Sequence, residues 1–164
     1  MKIREVALDD ASRICEIYNY YIEHTVIIFE TAPISVEEMA GRIQDIIESG
    51  APYYVGETEE GIVGYCYLNK WNGRSAFSIT KEITIYLDIN QTGKGYGSML
   101  YSHLLQNIDK KRIHVLIAGI CVPNDESVKL HEKFGFKQAS FMKEVGWKFD
   151  QWRDLGHWLL HLKE

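Results

Sequence analysis

The sequence has few cysteines and no pattern that would link them. Its three cysteines, Cys15, Cys66 and Cys121, are far apart and form no C-x-x-C pair. This spacing predicts neither a disulfide framework nor a zinc ribbon, and free thiols suit a reducing compartment. We therefore expect a cytoplasmic protein.

Basic charge and long apolar runs are also scarce. Lys and Arg total 18 against 23 Asp and Glu, a net charge of −5, and the longest basic run is 110–112. The sequence has no stripe of basic residues that could bind along a nucleic-acid backbone. Nowhere do 18 apolar residues run together, and the first residues turn acidic at Asp9 before an apolar signal segment forms. We expect no export, no membrane and no nucleic-acid partner.

The size and the composition are those of an ordinary globular domain. The chain has 164 residues, of which 46% are hydrophobic and 25% are charged. That length predicts a single domain spanning residues 1–164, and the composition supplies a core of normal size.

Hydrophobic periodicity predicts strand, helix, helix in the first third. Residues 2–7 alternate as in a strand, and Asp9 and Asp10 offer N-caps for a helix. The apolar stripe of that helix is Ala11, Ile14, Cys15, Ile17, Tyr18, Tyr21 and Ile22. A capping box at 35–38 opens a second helix, which ends at Gly50.

Three strands are expected next. Residues 53–57 and 62–69 are rich in aromatic and β-branched side chains and are joined by a hairpin turn at 58–61. Alternating side chains extend the third strand over 77–88. Three antiparallel strands in succession are the predicted result.

The second half predicts a parallel crossover. An apolar helical stripe from 99 to 108 precedes a nearly all-apolar strand at 113–122, as expected of a buried strand reached through a helix. A helix at 123–135 and strands at 137–148 and 155–161 complete the order. The fold class is α/β (α+β), with a mixed, mostly antiparallel sheet flanked by helices.

The most informative segment is a glycine loop at 91–98, where a strand leads into a helix. Gly93, Gly95 and Gly97 let backbone N–H groups turn outward, and a helix N-terminus adds positive charge, so the loop suits a phosphate. Its spacing departs from the dinucleotide fingerprint, and no P-loop motif is present. From spacing alone, a tight strand-to-helix turn without a ligand is equally consistent.

The residues around the loop resemble those of GNAT-type N-acetyltransferases. Gln91 and the three glycines are similar to that family's acyl-CoA pyrophosphate loop. The helix from Asn124 to Phe136 is similar to its second cofactor element. The resemblance implies the GNAT fold, with acetyl-CoA as co-substrate and no metal.

Within that superfamily the chain most resembles the phosphinothricin and methionine sulfoximine N-acetyltransferases. The matching pieces are residues 80–87, 97–105, 124–136 and 145–154, with 19–22 and 29–30 similar to the family's acceptor side. The resemblance implies transfer of acetyl to the α-amine of a small amino acid or analogue, and a homodimer.

The resemblance also implies the acetyl-CoA contacts. In that family, a backbone N–H of the central strand points at the thioester, the glycine loop holds the pyrophosphate, and an Asn faces the pantetheine arm. The corresponding residues here are Ile85, Tyr86, Leu87, Gly93, Lys94, Gly95, Tyr96, Gly97, Ser98 and Asn124.

Two residues are candidates for the proton transfers. An ammonium must lose a proton before it attacks, and Glu82 stands where the family has its proposed base. From pattern alone, Glu82 is better explained as a solvent-facing strand residue. His131 stands where many GNAT enzymes have a proton-donating Tyr, and it suits either a proton donor or a base relay. Its alternative is a surface histidine packed beside Phe134.

Three residues are candidates for binding the acceptor. The Arg74 guanidinium suits a carboxylate, which it can grip with two parallel hydrogen bonds, although an ordinary loop arginine is an equal alternative. Phe29 and Phe77 suit an apolar wall around the acceptor side chain, or simply the core. The role of Glu30 stays open.

Other chemistries are not favoured. His157 and His161 lie in a predicted strand without the Glu of a zincin motif. Ser127 and His131 lack a G-x-S-x-G elbow, so we expect Ser127 to cap a helix. Cys121 lies in an apolar run and is expected to be inert, which favours direct transfer over an acetyl-enzyme.

Three other functions remain open. They are a peptide or protein N-terminal acetyltransferase, a polyamine acetyltransferase, and a non-catalytic CoA-sensing module. The first needs an open groove, and the last would keep the glycine loop but lack a base.

Overall fold

The computed structural model of the protein describes residues 1–163. Its helices and strands follow the predicted order. They are β1 (Lys2–Glu5), α1 (Ala11–His24), α2 (Val36–Glu48), β2 (Tyr53–Thr58), β3 (Gly61–Lys70), β4 (Thr80–Leu87), α3 (Tyr96–Gln106), β5 (Val115–Val122), α4 (Asp125–Lys133), β6 (Lys137–Lys148) and β7 (Gln151–His161). Short 3-10 turns lie at Leu8–Asp10, Ser75–Phe77 and Ile89–Gln91. None of these helices is both long and apolar enough to cross a bilayer.

The seven strands form one sheet in the order β1-β2-β3-β4-β5-β7-β6. The pairs β1/β2, β2/β3, β5/β7 and β6/β7 are antiparallel, whereas β4 and β5 are parallel. A parallel pair needs a crossover, and α3 is the helix between β4 and β5. The prediction of a mixed, mostly antiparallel sheet with helices is confirmed.

The residues group into two compact units. The first unit contains Met1–Tyr20, Pro33–Asn69 and Ile83–Ile108, and the second contains Tyr21–Ala32, Lys70–Glu82 and the chain from Asp109 onward. Both α1 and β4 contribute residues to each unit. That residues 1–164 form one domain stays a prediction.

The core of the first unit rests on the predicted helix start. The Ser35 hydroxyl accepts a hydrogen bond from the Glu38 N–H at 3.0 Å, which caps α2. The cap fixes the start of α2, and apolar side chains at three- and four-residue spacing form its buried face. The buried apolar side chains of this unit include Met39, Ile43 and Ile46 of α2, Val55 of β2, Val63 and Leu68 of β3, and Leu100 and Leu104 of α3.

The second unit is built on β5 and a long hairpin. β5 pairs with β7 from Val115 to Val122, and five of its eight residues are buried, as expected of a central strand. Phe149 and Asp150 join β6 to β7, and their φ values are 52° and 56°. Two positive φ values in a two-residue loop give the twist that a hairpin requires.

Two strands begin three or more residues away from their predicted starts. The strand expected from residue 77 begins at Thr80, because Ser75–Phe77 forms a 3-10 turn in which the Ser78 N–H donates to the Ser75 carbonyl. The strand expected from residue 155 begins at Gln151, because the hairpin turn brings Lys148 opposite Gln151. Turn geometry decided both boundaries, and the hydrophobic pattern does not record it.

Candidate active site

The glycine loop lies in the first unit, where it precedes α3. Gly93 and Gly95 have φ of +75° and +83°, which disfavour any side chain. A Cβ added to either would meet no described atom within 4 Å, and no side chain caps α3 at Gly95. The first turn of α3, residues 96–98, thus offers backbone N–H groups and positive charge to an anion. An open loop of this kind fits a pyrophosphate group.

The entrance to the loop is fixed by groups that the sequence did not single out. The Asp88 carboxylate accepts a hydrogen bond from the Asn90 N–H at 2.8 Å and forms an ion pair with Arg13. Burial opposes ionisation of Asp88, but the hydrogen bonds from Asn90 and Arg13 prevail and lower its pKa. Lys94 donates to the Gln91 side chain at 2.8 Å. These contacts hold the first half of the loop.

The predicted thioester-binding strand, residues 85–87, is the second part of β4. Its position is set by Gly64 of β3, since a Cβ there would collide with the Leu87 side chain and lie 2.9 Å from the Tyr86 carbonyl oxygen. The register of β4 with β5 spans only Thr80–Glu82. Residues 85–87 therefore lie beyond the paired part of the parallel register.

Glu82 lies in the second unit, at the last residue pair of that register, opposite Ile117. Its residue surface is exposed, yet protein atoms desolvate the carboxyl enough to raise its pKa. Within residues 1–163 the carboxyl has no hydrogen bond or ion pair. A carboxylate that is unpaired and of raised pKa is a better proton acceptor than an ordinary surface glutamate.

His131 is buried in α4, with 4% of its surface exposed. Its ring packs edge-on against Phe136, with the centroids 5.2 Å apart, so His131 is not a surface histidine. Nδ1 lies 2.6 Å from the Ser127 carbonyl oxygen, which can only accept, so Nδ1 carries the hydrogen. Burial lowers the pKa of His131, although the bond to Ser127 opposes this. At neutral pH the ring is therefore neutral, with Nε2 as its basic nitrogen.

Asn124 is the N-cap of α4, and its side-chain oxygen accepts from the Ser127 N–H at 3.3 Å. The expected capping role of Ser127 is thus wrong, because Asn124 supplies the cap and Ser127 lies inside the helix. The Ser127 carbonyl instead orients His131.

The three predicted acceptor residues all lie in the second unit and are exposed. Within the described chain, the Arg74 guanidinium has no hydrogen bond or ion pair. Its backbone N–H donates to the Asn72 side-chain oxygen at 3.0 Å, and its carbonyl accepts from the Phe77 N–H at 3.0 Å. Phe77 packs edge-on against Trp71, with the centroids 5.3 Å apart. Phe29 lies against Gly146, where a Cβ would be 2.7 Å from the ring. None of the three is a core residue.

Cys121 is buried in β5, and burial raises the pKa of its thiol. A protonated, buried thiol is a poor nucleophile. Among residues 1–163, no group of three His, Cys, Asp or Glu residues is placed to hold a metal ion.

Known proteins are similar to this chain in fold and in sequence. Residues 3–157 match the sequence profile of the acetyltransferase (GNAT) domain. The chain is 32% identical to a phosphinothricin N-acetyltransferase of Streptomyces viridochromogenes, over 96% of this chain and 86% of that protein. The chain belongs to the GNAT acetyltransferase family.

Two further comparisons agree. This GNAT acetyltransferase is 32% identical to an L-methionine sulfoximine/L-methionine sulfone acetyltransferase of Salmonella typhimurium, over 100% of this chain and 96% of that protein. A crystal structure of a GNAT phosphinothricin acetyltransferase from Sinorhizobium meliloti, in complex with acetyl-CoA, matches with a TM-score of 0.94 and 32% identity, over 99% of this chain and 89% of that one. The predictions of the GNAT fold and of an N-acetyltransferase are confirmed.

Several residues of this GNAT acetyltransferase escaped the sequence analysis. Arg13 lies 75 positions from Asp88 in the chain, and no local pattern signals that pair. Only the structure shows that Phe77 packs against Trp71 and that Phe29 packs against Gly146. Asp88 had a local signal that could have been used, because an Asp just before a short turn is a common N-cap.

Proposed function

We propose that this acetyltransferase moves acetyl from acetyl-CoA to the α-amine of a small amino acid or analogue of the phosphinothricin or methionine sulfoximine type. The observation that carries the acceptor class is the similarity to acetyltransferases of those two compounds, which extends along nearly the whole chain. The described geometry adds the groups that such a transfer needs.

Acetyl-CoA is the proposed co-substrate. The first turn of α3 and the glycine loop bind the pyrophosphate, which is supported by the left-handed φ of Gly93 and Gly95 and by the open space around them. The backbone of residues 85–87 is proposed to bind the thioester, and Asn124 is proposed to face the pantetheine arm. The proposed chemistry uses no metal ion.

Glu82 is the proposed general base. It accepts a proton from the acceptor ammonium, and the neutral amine then attacks the thioester carbon directly. A C–N bond forms, the C–S bond breaks, and the second proton, which the nitrogen loses as the amide forms, neutralises the departing CoA thiolate. The raised pKa and the unpaired carboxyl of Glu82 support this assignment.

His131 is the proposed relay, and its tautomer favours proton acceptance. Because Nδ1–H donates to the Ser127 carbonyl, a neutral His131 can accept a proton only at Nε2. Donation to the thiolate would require the imidazolium, which burial disfavours. We therefore assign His131 to the relay of protons away from the amine.

Arg74 is the proposed partner of the acceptor carboxylate. A guanidinium without an internal partner can form two parallel hydrogen bonds to that group. Phe29 and Phe77 form the proposed apolar walls, in keeping with the exposure of both rings.

A cytoplasmic homodimer is the proposed state. The three free and buried thiols suit a reducing compartment. The β6–β7 hairpin exposes large apolar side chains, among them Trp152 with 62% of its surface accessible, and such surfaces are typical of protein interfaces. Light scattering on the purified protein tests the dimer, and a monomeric mass would contradict it.

The proposed reaction is tested by release of free CoA from acetyl-CoA with a panel of amines. The panel contains phosphinothricin, methionine sulfoximine, ordinary amino acids, polyamines and short peptides. We expect turnover with the first two or with related amino acids. Turnover only with peptides or polyamines would overturn the acceptor class, and acetyl-CoA binding without any turnover would favour the CoA-sensing module.

A further inference from the structure

A buried lysine ends β6. Lys148 has only 3% of its surface exposed, and its Nζ donates a hydrogen bond of 2.7 Å to the Ile28 carbonyl oxygen. We propose that Lys148 is a positioning residue that holds residues 25–32, here called the acceptor-side segment, in the arrangement that binds the acceptor. This inference rests on the proposed function, in which Phe29 of that segment contacts the acceptor.

The acceptor-side segment has no helix or strand of its own. Its first residues are held by Thr25, whose hydroxyl donates to the Tyr21 carbonyl at 2.6 Å and accepts from the Ile27 N–H at 3.2 Å. Three residues later comes the bond from Lys148 to Ile28. The Ile28 side chain is buried, with 5% exposure, so the chain is fixed there through both its backbone and its side chain.

The position of Phe29 follows from the same hairpin. Its ring lies so close to Gly146 that a Cβ there would be 2.7 Å from the ring. Gly146 and Lys148 both belong to β6, two residues apart, so their side chains share one face of the strand. One strand thus holds the carbonyl of Ile28 and supports the ring of Phe29.

The lysine is itself held in place by its neighbours. Arg153 of β7 donates to the Lys148 carbonyl oxygen at 3.0 Å, and the Phe149 ring lies 5.1 Å from Nζ. Burial lowers the pKa of Lys148, Cys121 and Glu30 raise it, and Arg153 lowers it further.

The choice of a charged residue argues for positioning over general stability. Burial of an ammonium is unfavourable, and an apolar side chain of similar length would stabilise the fold at least as well. An apolar side chain could not hold the Ile28 carbonyl. The structure therefore assigns to the ammonium the placement of one short segment.

The test compares Lys148→Met with Lys143→Met, an exposed lysine on the same strand. We expect Lys148→Met to raise the acceptor KM about tenfold, as for one buried hydrogen bond, with less than a twofold change in the acetyl-CoA KM. Lys148→Arg, which keeps a donor, should recover part of the loss. Hydrogen exchange in residues 25–32 should accelerate in Lys148→Met and stay unchanged in Lys143→Met.

Two outcomes would overturn the inference. One is unchanged exchange in residues 25–32, and the other is an equal rise of both KM values together with a general loss of protection. If wild-type protein turned over no amino acid, the proposed function would fail, whereas the exchange measurement would still decide whether Lys148 holds the segment. Should Lys148→Met not fold, Gly146→Ala moves Phe29 directly, and an unchanged acceptor KM in that variant would contradict the inference.

Discussion

The glycine loop of the first unit is made from backbone, whereas the proposed acceptor side of the second unit is made from side chains. The loop presents N–H groups of the first turn of α3, which follow two glycines of positive φ, and a side chain at either glycine would strain the backbone. The acceptor side places Arg74, Phe29 and Phe77 on exposed segments. A backbone site leaves a glycine pattern in the sequence, while a side-chain site leaves single residues that look ordinary.

The largest effect is expected from Glu82→Gln, which removes the proposed base. The turnover number should fall roughly 100- to 1000-fold at neutral pH, the range for a lost general base, with little change in either KM. Steady-state kinetics measure it, and Glu23→Gln, an exposed carboxylate of the second unit, is the control. A full rate in Glu82→Gln would remove Glu82 from the mechanism.

Arg74→Gln tests the side-chain region alone. Loss of charge-assisted hydrogen bonds to the acceptor carboxylate should raise the acceptor KM about 10- to 100-fold and leave the acetyl-CoA KM unchanged. Arg112→Gln, an arginine whose side chain is 86% exposed, should change neither. If both variants changed the acceptor KM equally, Arg74 would be an ordinary loop arginine with no part in acceptor binding.

Gly95→Ala tests the backbone region alone. An alanine at a φ of +83° costs about 1–2 kcal/mol and points a methyl group into the open loop. We expect the acetyl-CoA KM to rise about tenfold and the acceptor KM to stay constant. Gly41→Ala, in the interior of α2 where a Cβ meets nothing within 4 Å, should bind acetyl-CoA normally. A shift in the acceptor KM instead would break the division between the two regions.

The smallest expected effect concerns pH, which acts on the second unit through His131. Its pKa is lower in the folded protein than the ordinary value of 6.5, so below pH 6.5 the unfolded chain binds more protons. This contribution to stability is present above pH 6.5 and is lost as pH falls through the folded pKa. The Tm should decline less between pH 7.5 and pH 5.5 in His131→Gln than in wild type. An identical decline would show that His131 does not contribute.

Prediction succeeded where the controlling contacts are close in the chain. The start of α2 depends on a bond between Ser35 and Glu38, three residues apart, and the order of helices and strands follows from periods of two and of about four residues. The roles of the individual site residues stay predictions. The boundaries at Thr80 and Gln151 were missed because neighbouring turns set them.

Sequence alone therefore determined the succession of elements, the glycine loop and the family, since each is written in residues that lie near one another. Only the tertiary structure decided that His131 is buried as the Nδ1–H tautomer and that Glu82 has a raised pKa. It also decided that Lys148 forms a hydrogen bond with the Ile28 carbonyl, although the two residues are 120 positions apart in the chain. Those properties depend on desolvation and on contacts between distant residues, and both exist only after the chain has folded.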